Sequence, residues 1–302
     1  RSTFAAPSPV TDGEVVVFFY GNGPLAAFDF EGTPLWKRNI QEDYGEFAFL
    51  WTFSSTPLLY DGKLYLQILQ RDVPVRGRKL SGRENDSYLL ALDPRTGKEL
   101  WRVIRPSNAV GESREAFSSP IPFEHNGRRE ILVAGGDCVT GHDPETGNEL
   151  WRWGTWNPRR VPHWRLVPSP VAGDGVILLC APKKEPLYAL NAGGSGVLEE
   201  DAVRWISDDV RDLTSDVATP AFYDGDFFLL SKLRRCLSRV DPKTGEAKWT
   251  TPLPSREHFE ASPVLADGKV YMVNFAGLVV IADAENGEIR AVGFEKLLRQ
   301  RP

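Results

Sequence analysis

Basic and aromatic side chains that can bind an anionic ligand are concentrated in one segment of the sequence. The segment spans residues 156–165 and contains no acidic residue. Its basic side chains, with the tryptophan beside them, are Arg159, Arg160, His163, Trp164 and Arg165. Positive charge next to an aromatic ring attracts an anion and offers an apolar surface on which a ligand can pack.

Further arginines and aromatic residues occur in other loops. The insertion between Gln70 and Tyr88 is rich in arginine. The additional residues that we predict to line a ligand-binding surface are Trp51, Phe53, Arg76, Arg78, Arg235 and His258. Together they predict an electropositive, aromatic-lined mouth for an anionic or sugar-containing ligand or an extended peptide. The alternative is that these charges only solvate exposed loops, with the rings packed beneath them.

Motifs for the common hydrolytic chemistries are missing. The sequence has no H-E-x-x-H, no G-x-S-x-G and no Walker loop, so we predict neither a catalytic residue nor a metal site. Cys138, Cys180 and Cys236 lie at least 42 positions apart, which excludes a C-x-x-C motif. Asp72 and Asp216 are the acidic residues that we consider as candidates for a general base.

Internal repeats indicate the architecture that positions these residues. Ser-Pro or Thr-Pro pairs mark six units and end at Pro9, Pro57, Pro120, Pro170, Pro220 and Pro263. Each pair is followed by an Asp-Gly or Asn-Gly turn and by an apolar run that ends in Asp or Asn. Five units close on a tryptophan, namely Trp36, Trp101, Trp151, Trp205 and Trp249. In the sixth unit we assign the position of the repeat tryptophan to Ile289.

This repeat predicts an all-β protein, a β-propeller of four-stranded antiparallel blades. About 50 residues per unit accommodate four short strands, and apolar residues alternate as they do in half-buried strands. The predicted units are 5–40, 54–105, 118–155, 168–207, 218–252 and 261–292, within a single domain over 1–302. The repeat tryptophans should dock between neighbouring blades. The loops that cross from blade to blade vary, so we expect the binding surface on their face.

The segment from Tyr88 to Trp101, YLLALDPRTGKELW, resembles the tryptophan-docking repeat of pyrroloquinoline-quinone-type propellers. That family includes quinoprotein dehydrogenases and the non-catalytic lipoprotein of the outer-membrane β-barrel assembly machine. The resemblance implies seven or eight blades, so we expect flanking sequence to be missing at both ends, a signal peptide included. It also implies an exported protein that is periplasmic, associated with the outer membrane or secreted.

Two functions follow from this resemblance. A quinoprotein dehydrogenase would use pyrroloquinoline quinone with calcium held by carboxylate and amide groups, and in its alcohol-dehydrogenase branch a disulfide between adjacent cysteines, which this sequence lacks. A non-catalytic scaffold without a cofactor needs none of these groups. We therefore favour a scaffold that binds a protein, peptide or glycan ligand through its variable basic face.

Charge and hydropathy restrict the partners further. The net charge of −5 argues against a specific nucleic-acid partner. No run of 18 apolar residues occurs, so we predict no transmembrane segment. The sequence does not indicate an oligomeric state.

Overall fold

The computed structural model describes residues 3–77, 85–154, 156–183, 185–208 and 212–294. In this part of the chain the strands form six sheets of four or five strands, which confirms the all-β prediction. Helical structure is limited to α1 (Ile40–Tyr44) and the short 3-10 helices η1 (Gly111–Arg114) and η2 (Glu200–Ala202). None of the described helices is long and apolar enough to cross a membrane. The chain divides into two compact units, Arg1–Pro170 with Gly193–Leu198, and Val171–Ala192 with Glu199–Pro302.

The first unit contains three sheets. Sheet 1 consists of β1 (Val10–Thr11), β2 (Val16–Phe19), β3 (Pro24–Phe28) and β4 (Pro34–Asn39). Sheet 2 consists of β5 (Leu58–Tyr60), β6 (Lys63–Ile68), β7 (Tyr88–Leu92) and β8 (Glu99–Ile104). Sheet 3 consists of β9 (Ile121–His125), β10 (Arg128–Gly135), β11 (Cys138–His142), β12 (Glu149–Trp153) and, parallel to β12, β16 (Gly196–Val197).

The second unit also contains three sheets. Sheet 4 consists of β13 (Val171–Gly173), β14 (Val176–Cys180), β15 (Leu187–Asn191) and β17 (Val203–Ile206). Sheet 5 consists of β18 (Ala221–Tyr223), β19 (Asp226–Ser231), β20 (Cys236–Val240) and β21 (Ala247–Pro252). Sheet 6 consists of β22 (Val264–Ala266), β23 (Lys269–Val273), β24 (Leu278–Asp283) and β25 (Ile289–Phe294).

Two kinds of turn build each sheet. The turn between the first and second strands places two residues at positive φ in five sheets, as at Asp61 (48°) and Gly62 (70°), which matches a tight antiparallel hairpin. The turn between the third and fourth strands begins with the repeat acid. In sheet 2 the Asp93 carboxylate accepts hydrogen bonds from the backbone N–H of Arg95 (2.8 Å) and Thr96 (2.9 Å), which fixes the turn that the sequence predicts.

Neighbouring sheets pack face to face through their middle strands. In the first unit, Val17 and Leu25 of sheet 1 share a buried cluster with Leu66 and Leu90 of sheet 2. In the second unit, Phe228 of sheet 5 shares a buried cluster with sheet 6. The first strands of neighbouring sheets contact one another within each unit, whereas the fourth strands, apart from β12, consist of exposed and half-buried residues. Four-stranded antiparallel sheets arranged in this way are the blades of a β-propeller, as predicted.

The repeat tryptophans contact the turn of the sheet that follows them in sequence. Indole N–H groups donate to the carbonyl oxygen of a residue in that turn, as in Trp36 to Pro94 (2.8 Å) and Trp205 to Pro242 (2.8 Å). Trp101 and Trp249 make the same contact. Trp151 differs because its N–H donates to the buried carboxylate of Glu130 in its own sheet.

The tryptophan position of the sixth sheet is Ala291, so the assignment to Ile289 is wrong. Each repeat tryptophan lies opposite the residue two positions before the repeat acid, as Trp101 lies opposite Ala91. In sheet 6 the residue opposite Ile281 is Ala291, whereas Ile289 pairs with Ala282 beyond a register shift. The turn before β25 therefore places Ile289 at the start of the strand, ahead of the docking position.

Candidate functional site

Three segments that cross between sheets meet on one face of the first unit. They are residues 45–57, 105–120 and 156–170, and direct hydrogen bonds join them. Leu50 donates its backbone N–H to Glu115 (3.0 Å), and Phe117 donates its N–H to Leu166 (2.9 Å). We call this surface the crossing face. It contains most of the residues predicted to bind a ligand.

The centre of the crossing face is a contact between Trp51, Glu112 and Arg165. The indole N–H of Trp51 donates to Oε1 of Glu112 (3.2 Å), and the Arg165 guanidinium donates to the same oxygen (2.9 Å). The Arg165 guanidinium also lies over the Trp51 ring, 5.6 Å from its centroid. Trp51 is nevertheless 50% exposed, so its ring is held in place while remaining accessible.

A cavity of about 260 Å³ adjoins Trp51. Its lining includes the aromatic rings of Phe4, Phe47 and Phe49 and the polar side chain of Gln41. Because Gln41 accepts the backbone N–H of Phe47 (2.7 Å), the aromatic wall is tied to α1. The cavity offers space for an apolar side chain next to an exposed tryptophan.

A second, buried carboxylate lies behind Trp51. Glu115 is completely buried, and its Oε1 accepts hydrogen bonds from Leu50 N–H and from the Arg71 guanidinium. Burial raises the pKa of Glu115, although the hydrogen bonds and the positive charge of Arg71 oppose the shift. A neighbouring arginine, Arg114, pairs with Asp72 (3.4 Å). Arginine and carboxylate charges thus largely neutralise one another on this part of the crossing face.

Asp137 is a third acid that the crossing face positions. It lies in the tight turn between β10 and β11 with φ of 60°, and it accepts a hydrogen bond from the Asn157 amide (2.8 Å). Burial raises the pKa of Asp137 to about 6, while Asn157, Trp156 and the charge of Arg160 act in the opposite direction. The side chain therefore titrates near neutral pH.

The structure separates the residues of segment 156–165 into different roles. Arg159 and His163 are exposed. Arg160 is exposed but donates to the carbonyl oxygen of Asn108 (2.9 Å), and Trp164 is half-buried, with its backbone N–H bonded to the Ser113 hydroxyl (2.8 Å). Only part of the predicted basic segment is thus free of structural contacts.

Other predicted residues do not join this cluster. Phe53 is 2% exposed and packs among Phe19, Phe47 and Phe49, so it belongs to the core of the first unit. Arg76 is exposed in a turn with φ of 52°. Arg78 lies outside the described residues.

The remaining predicted residues belong to the second unit. Arg235 is exposed in the turn between β19 and β20. His258 is half-buried in the crossing segment 253–263, where its carbonyl oxygen accepts the N–H of Phe275 (3.2 Å). Asp216, one of the two acids considered as a base, accepts the backbone N–H of Lys183 (2.9 Å) and so has a structural contact.

The sequence analysis missed the three acids that organise the crossing face. Glu112 and Glu115 are three residues apart in the segment that contains η1, and Asp137 is in a Gly-Gly-Asp turn. The sequence did contain one signal for them, namely acidic residues in a crossing segment that lies next to arginine-rich crossing segments. The contacts of Glu112 and Glu115 cited above join residues 44–65 positions apart, and that of Asp137 joins residues 20 positions apart, so spacing along the sequence could not reveal them.

The alternative function calls for calcium held by carboxylate and amide groups. No three His, Cys, Asp or Glu side chains in the part of the chain that the structure describes come close enough to share a metal ion. The immediate partner of the buried Glu115 carboxylate is the cation Arg71. The three cysteines are unpaired and buried, so none forms a disulfide.

Comparison with known families identifies the repeat. Residues 21–292 match the family described as outer membrane protein assembly factor BamB. The chain belongs to this family. Its repeat is therefore of the pyrroloquinoline-quinone-like, quinoprotein-like type, as the sequence predicts.

Solved structures share the fold of this BamB family member at low identity. The crystal structure of BamB from Moraxella catarrhalis superimposes with a TM-score of 0.65 and 15% identity, covering 96% of this chain and 77% of that one. A europium-containing methanol dehydrogenase gives a TM-score of 0.68 and 13% identity, covering 95% of this chain and 68% of that one. BamB and a methanol dehydrogenase thus resemble the chain in fold to a similar degree.

One curated relative is an enzyme subunit. The dehydrogenase subunit of alcohol dehydrogenase (quinone) from Komagataeibacter europaeus is 29% identical over 196 residues, which cover 59% of this chain. The matched region is 24% of that protein, so the chain spans about a quarter of the length of this relative.

Proposed function

We propose that this chain is a non-catalytic β-propeller scaffold that binds an extended segment of a protein through the crossing face of its first unit. The observation that carries the proposal is the half-exposed Trp51 ring, held by Glu112 and covered on one side by Arg165. Tryptophan and arginine are the residue types that dominate binding energy at protein interfaces. A ring that is already ordered loses little conformational entropy when a ligand binds.

The surrounding charges favour a peptide over a neutral glycan. The Arg165 and Glu112 pair presents both a donor and an acceptor to a backbone or side chain, and the cavity beside Trp51 offers an aromatic wall to an apolar side chain. The exposed Arg159 adds positive charge at the edge of the face, which favours an acidic partner segment. A neutral sugar would gain hydrogen bonds from these groups but no charge–charge attraction.

The family match supports a role in the assembly of outer-membrane proteins, and with it a periplasmic or outer-membrane-associated location. Fractionation of the native protein tests the location, and recovery in the cytoplasmic fraction would contradict it. The proposed partner is then a protein of the same compartment.

Site-specific photo-cross-linking tests the binding function. A photoreactive amino acid at position 159, on the crossing face, should link to one discrete protein, whereas the same group at exposed position 98, in the turn between β7 and β8, should not. Trp51→Ala should remove the product at position 159 because the central ring is lost. Equal products at both positions, or a product that does not depend on Trp51, would refute the proposal.

The alternative function is a quinoprotein dehydrogenase, which the Komagataeibacter europaeus relative favours. Purified protein mixed with pyrroloquinoline quinone and calcium and then passed over a desalting column distinguishes the two functions. We expect no quinone absorbance in the protein fraction, since no three His, Cys, Asp or Glu side chains of the described residues come close enough to share a metal ion. Stoichiometric quinone absorbance would support the dehydrogenase function and contradict the non-catalytic scaffold.

A further inference from the structure

The cavity beside Trp51 has an aromatic and acidic wall. Of the described residues that line it, five are aromatic, four are glycine or uncharged polar residues, and Glu46 is the one that carries a charge. Glu46 is half-buried, so water screens its carboxylate less than it would screen a fully exposed one. Aromatic faces and a carboxylate both attract cations.

Contacts within the chain hold the walls of this cavity in place. The Gln41 amide donates to the carbonyl oxygen of Asn22 (2.6 Å) and accepts the backbone N–H of Phe47 (2.7 Å), which ties the turn between β2 and β3 to the aromatic wall. Gly21 of the same turn packs so closely that a Cβ built on it would lie 2.5 Å from the carbonyl oxygen of Phe53. A site with preformed walls loses little conformational entropy when a ligand binds.

The Trp51 ring already holds one cation. The Arg165 guanidinium lies 5.6 Å from the ring centroid, and the indole N–H donates to the Glu112 carboxylate (3.2 Å). Arg165 is not one of the residues that line the cavity, whereas Trp51 is. The part of the ring that faces the cavity therefore remains accessible to a second cation.

We propose that the cavity binds the side chain of one arginine or lysine of the partner segment. This inference rests on the proposed function and names the residue that anchors the segment. The apolar stem of such a side chain packs against Phe47 and Phe49, and its charged head lies between the Trp51 ring and the Glu46 carboxylate. An aliphatic side chain would gain the apolar contacts alone, and an acidic one would be repelled by Glu46.

A basic anchor is compatible with an otherwise acidic segment. Arg159 is exposed and does not line the cavity, so Arg159 and Glu46 contact different residues of the partner. The partner segment thus carries one basic residue with acidic residues beside it. Opposite charges at two places on the crossing face fix the direction in which the segment lies.

Selection of random peptides displayed on phage tests which residue anchors the segment. Peptides that bind the purified protein but not its Trp51→Ala variant should share one arginine or lysine position with aspartate or glutamate beside it. Selection on Glu46→Gln should lose the shared basic position. The matched control Glu42→Gln should keep it, because Glu42 is exposed on α1 and does not line the cavity.

The outcomes of this selection separate the inference from the proposed function. Peptides that depend on Trp51 but share no basic position would overturn the inference and leave the proposed function intact. A shared basic position that survives Glu46→Gln would do the same. If no selected peptide depends on Trp51, both the inference and the proposed function are contradicted.

Fluorescence anisotropy of one selected peptide measures the charge contact directly. Citrulline in place of its arginine, or norleucine in place of its lysine, removes the charge and keeps most of the shape. This replacement should weaken binding to the parent protein at least about tenfold, because a partly buried charge contact is lost. It should weaken binding to the Glu46→Gln variant much less. Equal losses in the two proteins would overturn the inference, because the charge would then be recognised away from Glu46.

Discussion

The hydroxyl of Ser119 accepts a hydrogen bond from the backbone N–H of Thr56 at 2.9 Å. The same contact recurs between other first strands, from Ser8 N–H to Thr56 Oγ1 (3.1 Å) and from Ser119 N–H to Ser169 Oγ (2.8 Å). These residues are the Ser or Thr of the Ser-Pro and Thr-Pro pairs that mark the repeat. The pair therefore links the innermost strand of one sheet to that of the next.

Ser119→Ala should destabilise the protein by about 1 kcal/mol, because the half-buried N–H of Thr56 loses its acceptor. Ser119→Thr keeps a hydroxyl at the position and should stay close to the parent protein, as Thr56 does naturally at the equivalent site. Denaturant unfolding monitored by tryptophan fluorescence measures both. Equal stabilities for the Ala and Thr variants would show that the hydroxyl contact is not a stabilising link.

Gly147→Ala should be much more destabilising than Gly127→Ala. The two glycines have nearly equal φ, 75° and 77°, so the backbone strain of adding a Cβ is the same. A Cβ on Gly147 would meet the Trp101 ring at 2.6 Å, whereas nothing lies within 4 Å of one on Gly127. Overpacking adds about 1–3 kcal/mol to the strain, and thermal unfolding of the two variants measures the difference. Equal losses would argue against docking of Trp101 on this turn.

Trp101→Ala should lower the free energy of unfolding by about 3–5 kcal/mol, the usual range for loss of a packed aromatic side chain. The ring contacts Tyr65, with centroids 5.8 Å apart, and its N–H is bonded to the Pro144 carbonyl. Denaturant melts measure the loss. A value below about 1 kcal/mol would mean that the ring does not wedge neighbouring sheets together.

The repeat could be predicted from the sequence because its signals are local. Asp93 and Gly97 fix a turn within five residues, and the apolar run at 88–92 marks a strand, although this strand is buried on both faces and not half-buried as the alternation predicts. The docking place in sheet 6 was misassigned to the large apolar residue Ile289, although Ala291 follows Asp283 by eight positions, as Trp101 follows Asp93. The crossing face was predictable in its location but not in its chemistry, since the Glu112 and Arg165 contact joins residues 53 positions apart.

Asp137→Asn should stabilise the protein at neutral pH. The pKa of Asp137 is raised from 3.8 to about 6 in the folded protein, so the protonated form is favoured by folding. Protonated Asp137 therefore stabilises the folded protein. This contribution to the free energy of unfolding is fully present below pH 3.8 and is lost as the pH rises to about 6. An amide cannot ionise, so the variant escapes this loss.

Melting temperatures of the parent and Asp137→Asn proteins between pH 4 and pH 7 check this sign. The advantage of the variant should grow from pH 4 to about 6 and then stay constant. His142 has the opposite behaviour, because burial lowers its pKa to about 4 and stability falls as the pH drops from 6.5. It is present in both proteins, so its contribution cancels in the difference. A difference that does not change with pH would contradict the raised pKa of Asp137.

Arg159 and Arg165 should respond differently to the same substitution. Arg159 is exposed, so Arg159→Ser should leave the melting temperature unchanged. If the crossing face binds acidic segments, this variant combined with His163→Ser should lose salt-sensitive retention on an anionic matrix. Retention that survives the double change would show that these charges only solvate the face.

Arg165→Ser should instead lower stability, because it leaves the Glu112 side chain, only 15% exposed, without its cation and uncovers the Trp51 ring. Glu112→Gln in the same protein removes the unpaired charge and should recover part of the loss. A double-mutant cycle from thermal unfolding measures the coupling between Arg165 and Glu112. Because this pair also orients Trp51, we expect coupling of at least about 0.5 kcal/mol, and additive losses would mean that the pair does not hold the ring.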